Sequence, residues 1–131
     1  MTKTFDDIIE KIRQVEFVET FDMVIAIARG GIIPAALVAQ RLGIDLQLLK
    51  IRLKDENQKP MWEKPHLMEA INFDIKGKRI LLVDDRIKTG TTITFAKGLL
   101  RDAALIKTLA VNGNADYSLY NEACFPFPWT S

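Results

Sequence analysis

The sequence predicts an α/β fold: a single-domain, mainly parallel open sheet flanked by helices. Three observations carry that reading. Met23–Ala28 and Ile80–Val83 are unbroken apolar runs with several β-branched residues, too short for helices, as expected of strands buried on both faces. Each leads through a Gly-containing turn into a segment of helical periodicity. Further strand-like segments alternate with these units, which selects an open sheet with any ligand at the carboxyl ends of its strands.

Taken in order, Phe5, Ile8, Ile9, Ile12 and Val15 recur at three- and four-residue steps between charged residues, predicting an amphipathic helix from Phe5 to Phe17. The first strand, Met23–Ala28, ends at Arg29-Gly30-Gly31. A helix over Ile32–Leu42 follows, with Pro34 in its first turn, where no intrahelical bond is lost, and Gly43 as its stop. Leu46–Leu53 reads as a strand. The polar stretch at about 54–66, with prolines at 60 and 65, reads as a long flexible loop, and loops of that length serve as lids or binding loops. A strand is expected over His66–Phe73, a turn over Ile75–Lys78 and the second buried strand over Arg79–Val83. Asp84-Asp85 follow it, then a Thr/Gly turn and a helix from Thr91 to Asp102. Ile106–Val111 is a further strand, broken by Asn112-Gly113-Asn114, and residues 117–131 form an aromatic and proline-rich tail that opens with a short strand.

At 131 residues the chain has room for one ordinary domain, expected to span residues 1–131. The balance of 18 Lys+Arg against 17 Asp+Glu lacks the basic excess of a duplex binder, so no nucleic-acid partner is expected. An apolar share of 48% with 27% charged residues is the balance of a folded chain rather than a disordered one. One cysteine, Cys124, excludes an internal disulfide and reads as a small buried hydrophobe. No apolar run approaches the ~20 residues of a membrane span, and Asp6 and Asp7 stand where a signal peptide would be apolar. The expectation is a soluble, cytoplasmic protein with no membrane partner.

The most informative segment is Ile80 to Thr92, ILLVDDRIKTGTT. A buried strand delivers two adjacent acids to its carboxyl end, where they are costly unless they meet a cation, a hydroxyl pair or solvent. Gly90 lets the backbone turn, and Thr89, Thr91 and Thr92 add hydroxyls to the free N–H groups at the start of the next helix, which together make an anion cradle. An ordinary strand-turn-helix with Thr caps has the same local pattern.

This stretch resembles the phosphoribosyl pyrophosphate (PRPP) motif of the type I phosphoribosyltransferases: four apolar residues, two acids, a variable segment, then Thr-Gly-x-Thr. Ile25 to Ala35, with Arg29-Gly30-Gly31 at its centre, resembles that family's pyrophosphate loop and following helix. The resemblance covers roughly residues 5 to 129 and is to the short xanthine-guanine and hypoxanthine enzymes, whose chains also end in a Pro-Trp tail like Pro128-Trp129. It implies transfer of the 5-phosphoribosyl group from PRPP to a nitrogenous base, purine favoured, in nucleotide salvage, with release of pyrophosphate. It implies Mg²⁺, a homo-oligomer and a small-molecule substrate pair. It assigns Asp84, Asp85 and Arg29 to catalysis, with both acids on the ribose hydroxyls directly or through Mg²⁺. Lys88, Thr89, Gly90, Thr91 and Thr92 fall on the 5′-phosphate, Arg29, Gly30 and Gly31 on pyrophosphate, and Asn112, Phe125 and Trp129 on the base.

The base end departs from the family pattern. An Asp that would handle the base proton is replaced by Lys88, whose ammonium cannot accept a proton. The Lys that reads a 6-oxo group has no counterpart near Asn112-Gly113-Asn114, and the stacking aromatic aligns near Cys124, one place before Phe125. A phosphoribosyltransferase-like regulatory protein that binds PRPP or a nucleotide with weak or no transfer is therefore the alternative. Phe125, Phe127 and Trp129 offer a stacking face or pack over the sheet. Lys50, Arg52 and Lys54 alternate along one strand, as a cationic wall for pyrophosphate or as a solvated face. Trp62 either closes over PRPP or packs on its neighbouring prolines, and His66, without a second His or Cys at ligand spacing, gives no zinc motif.

Overall fold

The computed structural model describes residues 2–54 and 64–130. Its elements are α1 (Phe5–Gln14), β1 (Met23–Ala28), α2 (Ile32–Leu42), β2 (Asp45–Lys54), β3 (Lys64–Leu67), β4 (Arg79–Ile87), α3 (Thr91–Leu99), β5 (Leu105–Gly113) and β6 (Tyr117–Tyr120). The six strands form one sheet in the order β3-β2-β1-β4-β5-β6. All neighbours are parallel except the β2–β3 pair, with Met23 opposite both Asp45 and Ile80, and Asp84 opposite Ala110.

The strand alternation sorts the apolar residues onto two faces. Val24, Ala26, Leu81, Val83, Leu109 and Val111 meet Ile8 and Ile12 of α1, Ala35 and Val38 of α2, and Phe125 and Phe127 of the tail. Met23, Ile25, Ile27, Ile80 and Leu82 meet Ile93, Ala96 and Leu100 on the α3 side. Every residue of β1 is buried, which is why its run is continuous rather than alternating. Each fully buried Ile, Leu or Val contributes roughly 1.5–3 kcal/mol relative to exposure.

Several boundaries move, each for a local reason. α1 stops at Gln14 rather than Phe17 because Val15 is already extended (φ −65°, ψ 127°). It starts at a capping box in which the Asp7 amide donates to the Thr4 hydroxyl at 3.1 Å and the Thr4 amide donates to the Asp7 carboxylate at 2.8 Å. Of the expected loop at 54–66, residue 54 ends β2, residues 64–66 are strand, and residues 55–63, including Trp62, lie outside the described residues. The strand expected over His66–Phe73 ends at Leu67, where the chain leaves the edge of the sheet. β4 runs four residues beyond Val83 to Ile87, and β5 runs through Asn112 to Gly113, because the two pair with each other to their ends. Asn112-Gly113 therefore does not break β5. A Cβ at Gly113 would come 2.9 Å from the Ile87 amide nitrogen, and its φ of +132° suits glycine alone. α3 ends at Leu99 rather than Asp102, with Leu100 turned into the core.

Candidate active site

β1 leads through α2 to β2 on one side, and β4 leads through α3 to β5 on the other. The carboxyl ends of β1 and β4 are thus the point where the strand order reverses, the place where open α/β sheets bind ligands. Both motifs converge there. Arg29-Gly30-Gly31 leaves β1 and Asp84-Asp85 occupies the end of β4, and the approach is so close that a Cβ on Gly30 would overlap the Asp85 carboxylate, with Oδ1 at 2.7 Å. Gly31 is equally constrained by the backbone, since a Cβ there would sit 2.8 Å from the Ile27 carbonyl. The Ala28–Arg29 peptide bond is cis.

Asp84 is only 8% exposed. Burial first, and then the neighbouring Asp85 carboxylate, push its carboxyl up to about 8. Its Oδ1 accepts the Asp85 amide at 2.8 Å, and Asp85 Oδ1 accepts the Arg86 amide at 2.6 Å. Two adjacent acids, one of them buried and neither with an ion-pair partner among the described residues, fit a hard divalent cation that takes its remaining ligands from water and substrate oxygens. Among the described residues no group of three or more His, Cys, Asp or Glu side chains is gathered to hold a metal by itself.

The turn after β4 carries the residues expected to form an anion cradle. Gly90 is left-handed (φ +83°), and nothing lies within 4 Å of where its Cβ would stand. The Thr89 and Thr91 hydroxyls are 2.9 Å apart, and α3 begins at Thr91, with Thr92 following. Residues Arg86 to Ile93, with Asp84, line a cavity of about 150 Å³. Arg29 lines a second, wider cleft of about 900 Å³ with Leu48, Lys50, Arg52 and Met68. Lys50 is paired with Glu69 at 2.7 Å, and Arg52 is exposed opposite His66 of β3.

The tail returns over the ends of β4 and β5. Asn112, 3% exposed, donates its amide to the Glu122 carbonyl at 3.1 Å and accepts the Glu122 amide at 3.0 Å. Phe125 and Phe127 are buried in the core, and Trp129 stacks on Phe127 with ring centroids 5.0 Å apart. Cys124 is exposed, not buried as expected, because the inward places of the tail go to the larger rings of Phe125 and Phe127 on either side of Pro126.

Arg86 was not singled out by sequence reasoning. Its Nη2 donates to the Phe125 carbonyl at 2.6 Å, its guanidinium lies 4.6 Å over the Phe127 ring, and its Nε is buried without a partner. The available signal was a cation directly after the paired acids, in a segment treated as variable. Val83 and Ile87, four residues apart, belong to opposite faces of the sheet, so the strand rotates by one pleat between them and aims Arg86 at the tail.

Residues 1–116 match the phosphoribosyl transferase domain family. The chain is 25% identical over 118 residues to a xanthine-guanine phosphoribosyltransferase of Idiomarina loihiensis, an alignment covering 85% of this chain and 72% of that protein. It is 33% identical over 93 residues to an orotate phosphoribosyltransferase of Sulfurisphaera tokodaii, covering 71% of this chain and 41% of that one, so it spans under half of this relative's length. Among solved structures, a purine phosphoribosyltransferase from Pyrococcus horikoshii superposes with a TM-score of 0.86 at 27% identity, covering 100% of this chain and 94% of that one.

Proposed function

Because the chain belongs to the phosphoribosyltransferase family, we propose that the crevice between β1 and β4 transfers the 5-phosphoribosyl group from PRPP to a nitrogenous base, with a purine as the leading acceptor. The observation that carries this reading is the convergence of Arg29-Gly30-Gly31, Asp84-Asp85 and the Thr89–Thr92 cradle at one reversal of strand order. A donor made of a 5′-phosphate, a ribose diol and a pyrophosphate needs three such places.

In the reaction the C1–O bond of PRPP breaks with its electron pair on pyrophosphate, the acceptor nitrogen bonds to C1, and the base proton passes to solvent or to a nearby acceptor. Positive charge develops on the ribose as negative charge leaves it. Asp84 and Asp85 hold the ribose hydroxyls and face that positive charge. Arg29 and the backbone of Gly30 and Gly31 receive the pyrophosphate, and the bare Gly30 lets the Asp85 carboxylate pack directly against this loop. Thr89 to Thr92, with Lys88, hold the 5′-phosphate end so that C1 stays fixed while the bond breaks. Asp84 and Asp85 would hold Mg²⁺, which when bound neutralises pyrophosphate charge and favours ionised Asp84.

The base end rests on the tail: Asn112 and Phe125 shape it through the Glu122 backbone and through Arg86, and Trp129 packs behind them. Lys88, exposed on the cavity rim, favours a second reading in which PRPP or a nucleotide binds without turnover. One panel separates the two. Pyrophosphate release from PRPP and Mg²⁺ is measured with each common base and with none, beside calorimetric PRPP binding. Base-dependent release supports the transferase; binding without release supports the regulator; neither would overturn both.

A further inference from the structure

The chain leaves β6 at Tyr120, which stands opposite Asn112 of β5, so residues 121–124 lie beyond the carboxyl ends of the strands, at the same end of the sheet as the crevice. All four are exposed. Exposed loops are ordinarily the mobile parts of a domain, yet this one is tied from three separate elements. Asn112 holds the Glu122 backbone through two hydrogen bonds, and Arg86 of β4 donates Nη2 to the Phe125 carbonyl. The third tie comes from the other end of the sequence. Lys3, just ahead of α1, keeps only 15% of its side chain exposed. Its ammonium lies 3.1 Å from the Glu122 carboxylate, 4.5 Å from the centre of the Tyr120 ring and 5.4 Å from that of Phe125. One side chain therefore grips the loop and the residue on either side of it. The capping box between Thr4 and Asp7 fixes the backbone from which Lys3 reaches.

An isolated exposed ion pair contributes little, but this ammonium is shared between a carboxylate and the faces of two rings, and its stem is covered. We propose that Lys3 is a positioning residue for the acceptor end of the crevice: it holds the loop 121–124 and the start of the aromatic tail where a base must be met. This rests on the phosphoribosyltransferase reading, with the base at the tail. Lys3 is not among the residues lining the cavity beside the Thr/Gly turn, so its effect on a ligand passes through the loop. The donor end does not share this dependence. Arg29, Gly30 and Gly31 follow β1, Asp84 and Asp85 belong to β4, and Thr91 and Thr92 open α3, whereas the Lys3 ammonium meets Tyr120, Glu122 and Phe125. Loss of its charge should weaken the hold on a base and leave the hold on sugar and phosphates as it was. A ligand with a base and a ligand without one separate the two ends.

The test measures, by calorimetry on the native chain, Lys3→Met and Lys3→Arg, the affinity for PRPP with Mg²⁺, which carries no base. A panel of purine and pyrimidine nucleoside 5′-monophosphates is measured beside it on the native chain, and the tightest is carried to the variants. Lys3→Met keeps the stem and removes the charge. It should weaken nucleotide binding by roughly 3- to 10-fold, the size of one partly desolvated cation–aromatic and ion-pair contact, and leave PRPP affinity within about twofold. Lys3→Arg, which keeps the cation and its reach, should restore most of the loss. Lys107→Met is the control, because Lys107 pairs with Glu19 at 3.7 Å near the opposite end of β5 and its removal breaks an ion pair away from the loop. It should change neither affinity. Equal nucleotide affinity in the native chain and Lys3→Met would overturn the assignment. A parallel loss of PRPP affinity, or the same loss in Lys107→Met, would overturn it too, since either marks a general effect on stability. PRPP binding without any nucleotide binding in the native chain would leave the tail no base to support, and would also overturn it. A native chain that binds neither ligand would instead refute the reading of the crevice on which the assignment stands.

Discussion

Replacing Asp84 by Asn should stabilise the metal-free protein while destroying its Mg²⁺-dependent affinity for PRPP. Asp84 is 8% exposed and its carboxyl is pushed up to about 8 by burial and by Asp85. In the unfolded chain the same carboxyl titrates near 3.9. Because the folded value is the higher one, the group contributes stability that is fully present below about pH 4 and is lost as the pH rises through about 8. An Asn side chain has no such dependence. Its oxygen still accepts the Asp85 amide, the bond seen at 2.8 Å, and its NH₂ can donate to the Asp85 carboxylate as the protonated acid does. The stability gap between variant and native chain should therefore widen by about 1.4 kcal/mol per pH unit inside the window, or about 3 kcal/mol between pH 5 and pH 7. For a domain of this size that is on the order of 10 °C in melting temperature. Thermal melts in a chelator at pH 5, 6, 7 and 8 measure it, with calorimetry of PRPP and Mg²⁺ alongside. A gap that stays constant or narrows with rising pH would refute the argument that burial holds Asp84 protonated.

Three further substitutions probe the rest of the crevice. Gly30→Ala places a methyl group on the Asp85 carboxylate and should abolish PRPP binding in a protein that still unfolds cooperatively; unchanged calorimetric affinity would separate the loop from the site. Gly90→Val puts a β-branched residue at φ +83°, costing roughly 1–2 kcal/mol of backbone strain, and should remove binding of both PRPP and nucleoside monophosphates; retained monophosphate affinity would make the turn purely structural. Lys88→Asp should raise transfer to hypoxanthine by up to about 10²–10⁴-fold if a proton acceptor is what that base lacks, and should lower transfer to an acidic base through like-charge repulsion. Steady-state rates with both acceptors decide, and a fall with both would show that Lys88 holds phosphate rather than facing the base.

Strands β1 and β4 and helix α2 were legible because burial on both faces and a Gly stop leave one-dimensional signatures: Met23–Ala28 and Ile32–Leu42 have the same limits in the sequence and in the structure. The turn before α3 was legible because its pattern is local, with Thr89 to Thr92 contiguous and Gly90 left-handed. What was not legible depends on pairing. Asp84 to Ile87 look like the start of a loop, yet they continue β4 because β5 continues beside them through Asn112 and Gly113. The tail was ambiguous for the same reason, since only the folded chain shows that Phe125 and Phe127 lie under the sheet and that Cys124 faces solvent.

The same pairing explains why the two ends of the crevice differ in how firmly their chemistry is set. The proposed phosphate and pyrophosphate ends are built from backbone geometry: glycines against carboxylates and carbonyls, and a left-handed turn at a helix start. Most side chains there would collide or strain the turn. The proposed base end is built from side chains on a strand end and a returning tail, held by Asn112 on Glu122 and by Arg86 on Phe125. A change at the exposed Lys88 leaves Gly30, Gly31 and Gly90 undisturbed. Under the proposed reaction the donor end is thus tied to backbone geometry, while the acceptor end is open to change at Lys88, four positions after Asp84. If Lys88 stands at the acceptor rather than on the phosphate, exchanging this cation for an acid should move the preference toward neutral purines.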